Sequence, residues 1–132
     1  MLPYLLDTNI CVYFLRKRYG IDKKIIAVGE SNCCISEITV AELKFGAENS
    51  PDVFKKSQIV ETFISTIEII PIFTSLDVFA REKARLSKLG TIIDDFDLLI
   101  GATAIANELT LVTNNEKHFS RLDGIKIENW IR

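Results

Sequence analysis

Asp7 is the first acidic residue of the chain, and it ends the apolar run Tyr4-Leu5-Leu6 just before a helical pattern. A carboxylate at the carboxyl end of a parallel strand projects into the crevice where such sheets bind ligands. Aspartate is also a favoured residue at the N-cap of a helix. Taken alone, Asp7 therefore predicts either a structural cap or a ligand-binding carboxylate.

Glu42 lies on a helix that we expect to begin after Ser36 and to run through about Ala47. Helical spacing places it on one face with Ile38, four residues earlier, and Phe45, three residues later. An acid on an apolar face is costly to bury as an ion unless a cation or hydrogen-bond donors meet it. The position predicts either a salt bridge or a contact with a metal ion or its waters.

Asp94, Asp95 and Asp97 stand at the entrance of the apolar segment 98–106. Three acids within four residues repel one another unless positive charge lies nearby. Asp94 followed by Asp97 resembles a capping box, so we expect Asp94 to be partly structural. Asp97 is expected to point inward, in line with Gly101, which would let this helix approach the sheet closely.

These carboxylates together suit a hard divalent cation, because Mg²⁺ and Mn²⁺ prefer oxygen ligands. A water bound to such an ion loses a proton more easily and can attack phosphorus in line. We therefore expect Asp7, Glu42 and Asp97 to meet at one edge of a sheet and to form a metal-dependent hydrolytic site.

Five short apolar runs separated by helical patterns predict an α/β fold. We expect a three-layer α/β/α sandwich around a central, mostly parallel five-stranded sheet, formed as a single domain over residues 1–132. The expected strands are Tyr4–Leu6, Cys33–Ile35, Ile69–Ile72, Leu109–Thr113 and Ile125–Glu128.

The composition favours a globular protein, with 48% hydrophobic and 26% charged residues and a net charge of −2 over 132 residues. The N-terminus has no basic segment of a secretory signal, and no apolar stretch is long enough for a bilayer, so we expect a cytoplasmic protein. Cys11, Cys33 and Cys34 form a poor disulfide framework and are expected to be buried, with Cys33 and Cys34 on opposite faces of a strand.

Two groups of basic residues could hold nucleic-acid phosphates. Arg81, Arg85 and Lys88 share one helical face, although a solvated face explains them equally well. The run Arg16-Lys17-Arg18 ends the first expected helix, where positive charge also suits the helix dipole. No aromatic platform for stacking bases stands out in the sequence.

Four segments resemble, in order and spacing, the motifs of the PIN-domain toxins called VapC. They are Leu5-Leu6-Asp7-Thr8-Asn9, 39–47 around Glu42, Asp95-Phe96-Asp97-Leu98-Leu99-Ile100 and Leu111-Val112-Thr113-Asn114-Asn115. The ending Ile127-Glu128-Asn129-Trp130 is also similar to that family's C-terminus. The resemblance implies an Mg²⁺- or Mn²⁺-dependent endoribonuclease, the toxin of a type II toxin–antitoxin pair, usually homodimeric and inhibited by a VapB-type antitoxin.

By position in those motifs, Asp7 and Asp97 would be metal ligands, and Glu42 would complete the cluster directly or through a water. Thr8, Asn9, Thr113, Asn115 and Asp94 are candidates for orienting these acids by hydrogen bonds. Many members carry a further acid after the threonine of the fourth motif. Asn115 and His118 stand at two such positions here, with Glu116 the nearest carboxylate, so this chain departs from the family's pattern at the ligand expected for a second metal ion. We expect His118 to have a surface role.

Two other readings compete with a ribonuclease. A phosphohydrolase of the haloacid-dehalogenase type needs a second acid two residues after its nucleophilic aspartate, and Asn9 stands there. A non-catalytic PIN-like module would bind a partner or nucleic acid without cutting, and the incomplete fourth motif favours it. Three inward acids without a cation would only destabilise such a module, which argues for the enzyme.

Overall fold

The computed structural model describes residues 3–131, so Met1, Leu2 and Arg132 of the predicted domain 1–132 lie outside the described residues. Within it a five-stranded sheet has the order β3-β2-β1-β4-β5, and every pairing is parallel. The strands are β1 (Tyr4–Leu6), β2 (Cys33–Ser36), β3 (Glu68–Ile70), β4 (Thr110–Val112) and β5 (Lys126–Glu128). The predicted sheet is confirmed, and it is wholly rather than mostly parallel.

Helices connect the strands and cover both faces of the sheet, as right-handed parallel crossovers require. They are α1 (Thr8–Leu15), α2 (Ile21–Val28), α3 (Glu37–Glu48), α4 (Val53–Thr66), α5 (Leu76–Leu89), α6 (Asp95–Ala106) and the short α7 (Glu116–Phe119). The three-layer α/β/α sandwich predicted from the sequence is therefore confirmed. No helix among residues 3–131 is long and apolar enough to cross a bilayer.

The sheet separates two apolar cores, and neighbouring residues of a strand enter different ones because strand side chains alternate. Cys33 packs in the core under α1, α2 and α4, whereas Cys34 packs in the core under α5 and α6. Burial raises the pKa of the Cys33 thiol to about 11 and that of Cys34 to about 12. Both cysteines, like Cys11, are buried and free of disulfides, as expected.

Local sequence explains most helix starts. The Ser36 hydroxyl accepts a hydrogen bond from the amide of Ile38 at 3.0 Å, so α3 begins where predicted. The sequence Ser50-Pro51, a capping residue followed by proline, also predicts a helix start. This prediction is wrong, because α4 is capped by Asp52, whose side chain accepts from the Lys55 amide at 3.1 Å.

The order of the strands fixes where a site can form. The chain runs from β1 outward to β3 on one side, then crosses over to β4 on the other side of β1. The carboxyl ends of β1 and β4 therefore flank the point where strand order reverses, and open parallel sheets bind ligands there. Asp7 follows β1 and Thr113 follows β4 at this edge.

Candidate active site

Asp7 is buried at the switch point, with 4% of its surface exposed. Its Oδ2 accepts a hydrogen bond from the Thr113 hydroxyl at 2.8 Å, and its Oδ1 accepts from the Thr8 amide at 2.8 Å. Its own amide donates to the Val112 carbonyl at 2.9 Å, which ties the residue to β4. Asp7 is thus both a helix cap and a carboxylate held rigidly from two strands.

Glu42 is hydrogen-bonded to Thr8, the residue after Asp7, as part of a chain of threonine hydroxyl groups. The Thr8 hydroxyl donates to Glu42 Oε1 at 2.6 Å and lies 3.0 Å from the hydroxyl of the buried Thr39. A threonine hydroxyl has a single proton, so while Thr8 donates to the carboxylate it must accept from Thr39. The chain Thr39 to Thr8 to Glu42 holds one oxygen of Glu42 and leaves its second oxygen without a hydrogen bond from the described residues.

Asp97 is the third residue of α6 and lies half-buried at the same edge. Asp94 caps this helix, because its Oδ2 accepts from the amides of Phe96 at 3.1 Å and Asp97 at 3.4 Å. Gly101, one turn further, packs against the side chains of Leu122 and Phe119 in the segment before β5. The glycine therefore allows a close approach to that segment, not to the sheet as expected.

Burial and mutual repulsion raise the pKa values of two acids in this cluster. Burial is the main cause that raises the pKa of Asp7 above its ordinary 3.8, with the charge of Glu42 adding to it, while the bonds from Thr113 and Thr8 act against it. The pKa of Asp97 rises from 3.8 to about 6 through burial and the charges of Asp7, Asp94 and Glu42. The three predicted site acids are therefore close enough to feel one another's charge.

The donor chemistry of this cluster fits a hard divalent cation. Carboxylate oxygens are its preferred ligands, and a cation would relieve the repulsion that raises the pKa of Asp97. Among residues 3–131, no three acidic, histidine or cysteine side chains stand close enough together to hold a metal ion as they are oriented. The charge and the ligand type of these acids therefore fit the ion, whereas the present orientation of their side chains does not form a closed site.

The face of α3 around Glu42 is more open than the sequence indicated. Phe45 was expected to share a buried face with Glu42, and this is wrong, since 68% of its surface is exposed. Glu42 instead lines a groove of about 180 Å³ between α1, α3 and α4, together with Thr8, Val12 and Arg16. Glu42 thus lies partly in solvent, with a hydroxyl donor in place of a salt bridge.

The remaining candidates for orienting the acids differ in what they do. Thr113 binds Asp7 directly, and its hydroxyl also accepts from the Asn115 amide at 2.9 Å. The side chain of Asn115 faces His118, with 3.0 Å between the amide nitrogen and Nδ1, on the exposed side. Asn9 is exposed, and its side chain has no hydrogen bond to residues 3–131. Asp7 is therefore oriented by Thr113 and the backbone of Thr8, and not by Asn9.

The predicted basic stripe on α5 is divided by the structure. Arg85 makes two hydrogen bonds to the carboxylate of Glu82, which is 2% exposed, at 3.0 and 2.8 Å, and a third to the Arg121 carbonyl at 2.6 Å. This hydrogen bonding lowers the pKa of Glu82. Arg85 therefore anchors α5 to the segment before β5, which corrects the expectation of a free phosphate contact, while Arg81 and Lys88 remain exposed.

Two residues of interest were missed in the sequence. Thr39 gave a signal that could have been used, since it lies three residues before Glu42 and so on the same face of α3. Tyr19 gave little signal. Only the fold shows that 56% of its surface is exposed and that its ring meets Tyr13 edge to face, with the ring centroids 4.8 Å apart.

The model of the PIN domain family matches residues 4–125. This match runs from β1 to the residue before β5 and so includes all three clustered acids and Thr113. The chain therefore belongs to the PIN-domain family.

Similar proteins define the branch of the family. The chain is 34% identical to the "tRNA(fMet)-specific endonuclease VapC" of Salmonella typhimurium, covering 98% of this chain and 99% of that one. It is 37% identical to "Ribonuclease VapC2" of Haemophilus influenzae, covering 99% and 100%. A chain of the crystal structure of DNA-bound VapBC from Salmonella typhimurium superposes with a TM-score of 0.92 at 35% identity, over 98% of this chain and 99% of that one. These likenesses place the chain among the VapC ribonucleases, as the sequence motifs indicated.

Proposed function

We propose that this protein is an Mg²⁺- or Mn²⁺-dependent endoribonuclease that acts as the toxin of a type II toxin–antitoxin system. The observation that carries the proposal is the position of Asp7, a buried carboxylate held from two strands at the switch point of the sheet. Asp97 and Glu42 lie near enough to perturb it. A binding module would gain nothing from repelling acids at this edge.

Each acid has a distinct part in the proposed reaction. A bound divalent ion would make a water more acidic and offset the charge of the RNA phosphate. Asp7 and Asp97 would hold that ion, with Asp7 fixed in place by Thr113. Glu42 keeps one oxygen on Thr8, so its second oxygen is available to accept the proton of the attacking water. Water adds to phosphorus, and the leaving RNA oxygen takes up a proton as its bond to phosphorus breaks.

Purified protein tests this proposal directly. We expect it to cleave single-stranded or loop RNA with Mg²⁺ or Mn²⁺, and to lose this activity in EDTA or in the Asp7→Ala variant. An initiator tRNA is a reasonable first substrate because of the name of the Salmonella relative. Cleavage that persists in Asp7→Ala would contradict the mechanism. Binding of RNA without any cleavage would instead support the non-catalytic alternative.

A VapB-type antitoxin is the proposed protein partner. The support is that similar solved structures are VapBC complexes, including VapBC2 of Rickettsia felis, at a TM-score of 0.89 and 35% identity. We expect induced expression of this chain in the cytoplasm to arrest growth, and co-expression of a small neighbouring gene product to relieve the arrest. Arrest that no neighbouring product relieves would argue against the pairing, and sequencing of new RNA ends would name the substrate.

A homodimer is also proposed. Large apolar side chains are exposed at the end of α5, in the segment after it and at the start of α6, namely Leu89, Ile92 and Phe96, and exposed apolar surface is typical of an interface. We expect sedimentation of the purified protein to give the mass of two chains and Ile92→Asp to shift it toward one. A wild-type mass of one chain would contradict this part of the proposal.

A further inference from the structure

The segment that follows α1 presents basic side chains and an aromatic ring together on the surface. Arg16, Lys17, Arg18 and Tyr19 are all exposed. Positions 16–24 contain five basic residues and one acidic residue, although the chain as a whole carries a net charge of −2. We call residues 16–19 the basic loop. Its charge is therefore a local concentration against an acidic background.

The basic loop is held in a fixed shape. Lys17 and Tyr19 have positive φ angles of 55° and 58°, a conformation that residues other than glycine seldom adopt. The Lys17 amide donates to the Phe14 carbonyl at 3.1 Å, and the Arg18 amide donates to the Tyr13 carbonyl at 2.8 Å. These bonds fasten the turn to the last turn of α1, so that its side chains extend from a rigid base.

The charges of the loop are available to a ligand. The ion pairs among residues 3–131 involve Lys44, Lys83 and Arg85 as the cations, and Arg16, Lys17 and Arg18 are not among them. A cationic side chain without an ion pair can bind a phosphate of a polyanion directly, whereas a paired one must first break its ion pair.

The loop is connected to the carboxylate cluster by a continuous groove. Arg16 and Lys56 line the same groove as Thr8 and Glu42. The eight residues of α1 separate Thr8 from Arg16 by roughly 12 Å along the helix axis. A strand whose phosphate is cut near Glu42 therefore meets Arg16 and Lys56 next, and the loop after them.

We propose that the basic loop is the docking surface for the RNA strand on one side of the cut, with Arg16, Lys17 and Arg18 binding phosphates and Tyr19 stacking on a base. This inference rests on the proposed ribonuclease function. The occupant is single-stranded RNA because phosphate-binding cations and an exposed ring occur together, which is the combination that such strands require. Tyr13 supports the Tyr19 ring from its edge and leaves a face open.

Binding of a labelled single-stranded RNA, measured by fluorescence anisotropy at several salt concentrations, tests the proposal. All proteins carry Asp7→Asn so that the RNA stays intact. The loop variant replaces Arg16 and Arg18 by Gln and Lys17 by Asn, which tolerates positive φ. Loss of three phosphate contacts is expected to reduce the slope of log K against log salt by about 2 and to weaken binding about tenfold or more.

A matched control removes the same charge elsewhere, by changing the exposed residues Lys44, Lys83 and Lys126 to Gln, of which the first two are already paired with acids. We expect this control to bind RNA as tightly as its parent. A second comparison uses Tyr19→Leu, which is expected to weaken RNA binding about tenfold and to leave binding of inorganic polyphosphate, which has no bases, unchanged. The loop variant is expected to lose affinity for both ligands.

The outcomes separate this inference from the proposed function. If wild-type protein cleaves the RNA but the loop variant binds it with unchanged affinity and slope, the docking surface is refuted and the nuclease stands. Equal losses of RNA affinity in the loop variant and the matched control would also refute the docking surface. A loop variant that keeps its affinity for RNA and loses only the binding of a protein partner would refute it as well. Wild-type protein that neither binds nor cleaves RNA would overturn both.

Discussion

Asp97→Asn is expected to stabilise the metal-free protein at neutral pH. The folded-state pKa of Asp97 is about 6 against 3.8 in the unfolded chain, so the folded protein binds this proton more tightly. The stability that the protonated group provides is complete below about pH 4 and is lost as pH rises toward about 6. The ionised carboxylate therefore destabilises the folded protein at neutral pH. Asparagine removes the charge with little change in side-chain shape.

The magnitude follows from the pKa and the exposure of the group. A rise from 3.8 to about 6 corresponds to about 3 kcal/mol at 1.36 kcal/mol per pKa unit. Asp97 is only half-buried, and solvent screening reduces this to roughly 1–2 kcal/mol. Asparagine also forgoes the attraction of a carboxylate to the helix N-terminus, about 0.3–1 kcal/mol. The expected net gain is about 1 kcal/mol, or about 4 °C in Tm for a domain of this size.

Urea denaturation in EDTA at about pH 7.5 and about pH 4 measures this difference. We expect the gain at the higher pH and almost none at the lower one. Asp77→Asn is the matched control, since Asp77 is an exposed acid in the first turn of α5. It should leave stability unchanged or slightly lower. A metal-free Asp97→Asn protein that is less stable than wild type at about pH 7.5 would refute the electrostatic account of the cluster.

Three further changes test how the site is held. Thr113→Val removes the hydroxyl that lowers the pKa of Asp7. The free energy of unfolding at neutral pH should therefore fall by about 1.5–3 kcal/mol, and the acid limb of the pH profile of cleavage should move to higher pH. An acid limb that does not move would argue against this role of Thr113. Thr39→Val should lower the cleavage rate at saturating RNA, and Thr39→Ser, which keeps the hydroxyl, should restore it. Equal rates in the Val and Ser variants would mean that the hydroxyl chain has no function in cleavage. Gly101→Ala should lower the free energy of unfolding by about 1–3 kcal/mol, because the added methyl group collides with the segment before β5. Gly46→Ala places its methyl group in open space on an exposed helix and should raise the free energy of unfolding by about 0.5–1 kcal/mol. The Tm values of the two proteins should therefore shift in opposite directions.

Much of the architecture was predictable because each strand is a short apolar run bounded by capping residues or glycine. Asp7 could be assigned to the carboxyl edge of the sheet because it ends a strand. Asp97 could be assigned to the same edge because it lies in the first turn of a helix that leads into a parallel strand, and such a helix starts at that edge. The alternation of Cys33 and Cys34 between two cores also followed from the strand period.

The errors arose where helical spacing shows on which face of a helix a side chain lies but not which residue of another element packs against it. Helical periodicity placed Phe45 beside Glu42, yet it could not show that α3 and α4 leave this face open as a groove. Arg85 looked like a free cation although helical spacing places Glu82, three residues earlier, within its reach. Its contact with the Arg121 carbonyl comes from tertiary packing, which the sequence pattern does not encode. The hydroxyl chain to Glu42 joins residues 31 and 34 positions apart, a distance over which local patterns carry no information.

The chemical identity of the RNA ends tests the central claim most directly. If the carboxylate cluster activates a water, hydrolysis places a phosphate monoester on one product and a hydroxyl on the other, with no cyclic product. Mass spectrometry of the fragments from a defined RNA should show these ends with wild-type protein and no fragments with Asp7→Ala. A 2′,3′-cyclic phosphate would mean that the neighbouring 2′-hydroxyl attacks phosphorus, and would contradict a water-activating role for Asp7, Glu42 and Asp97.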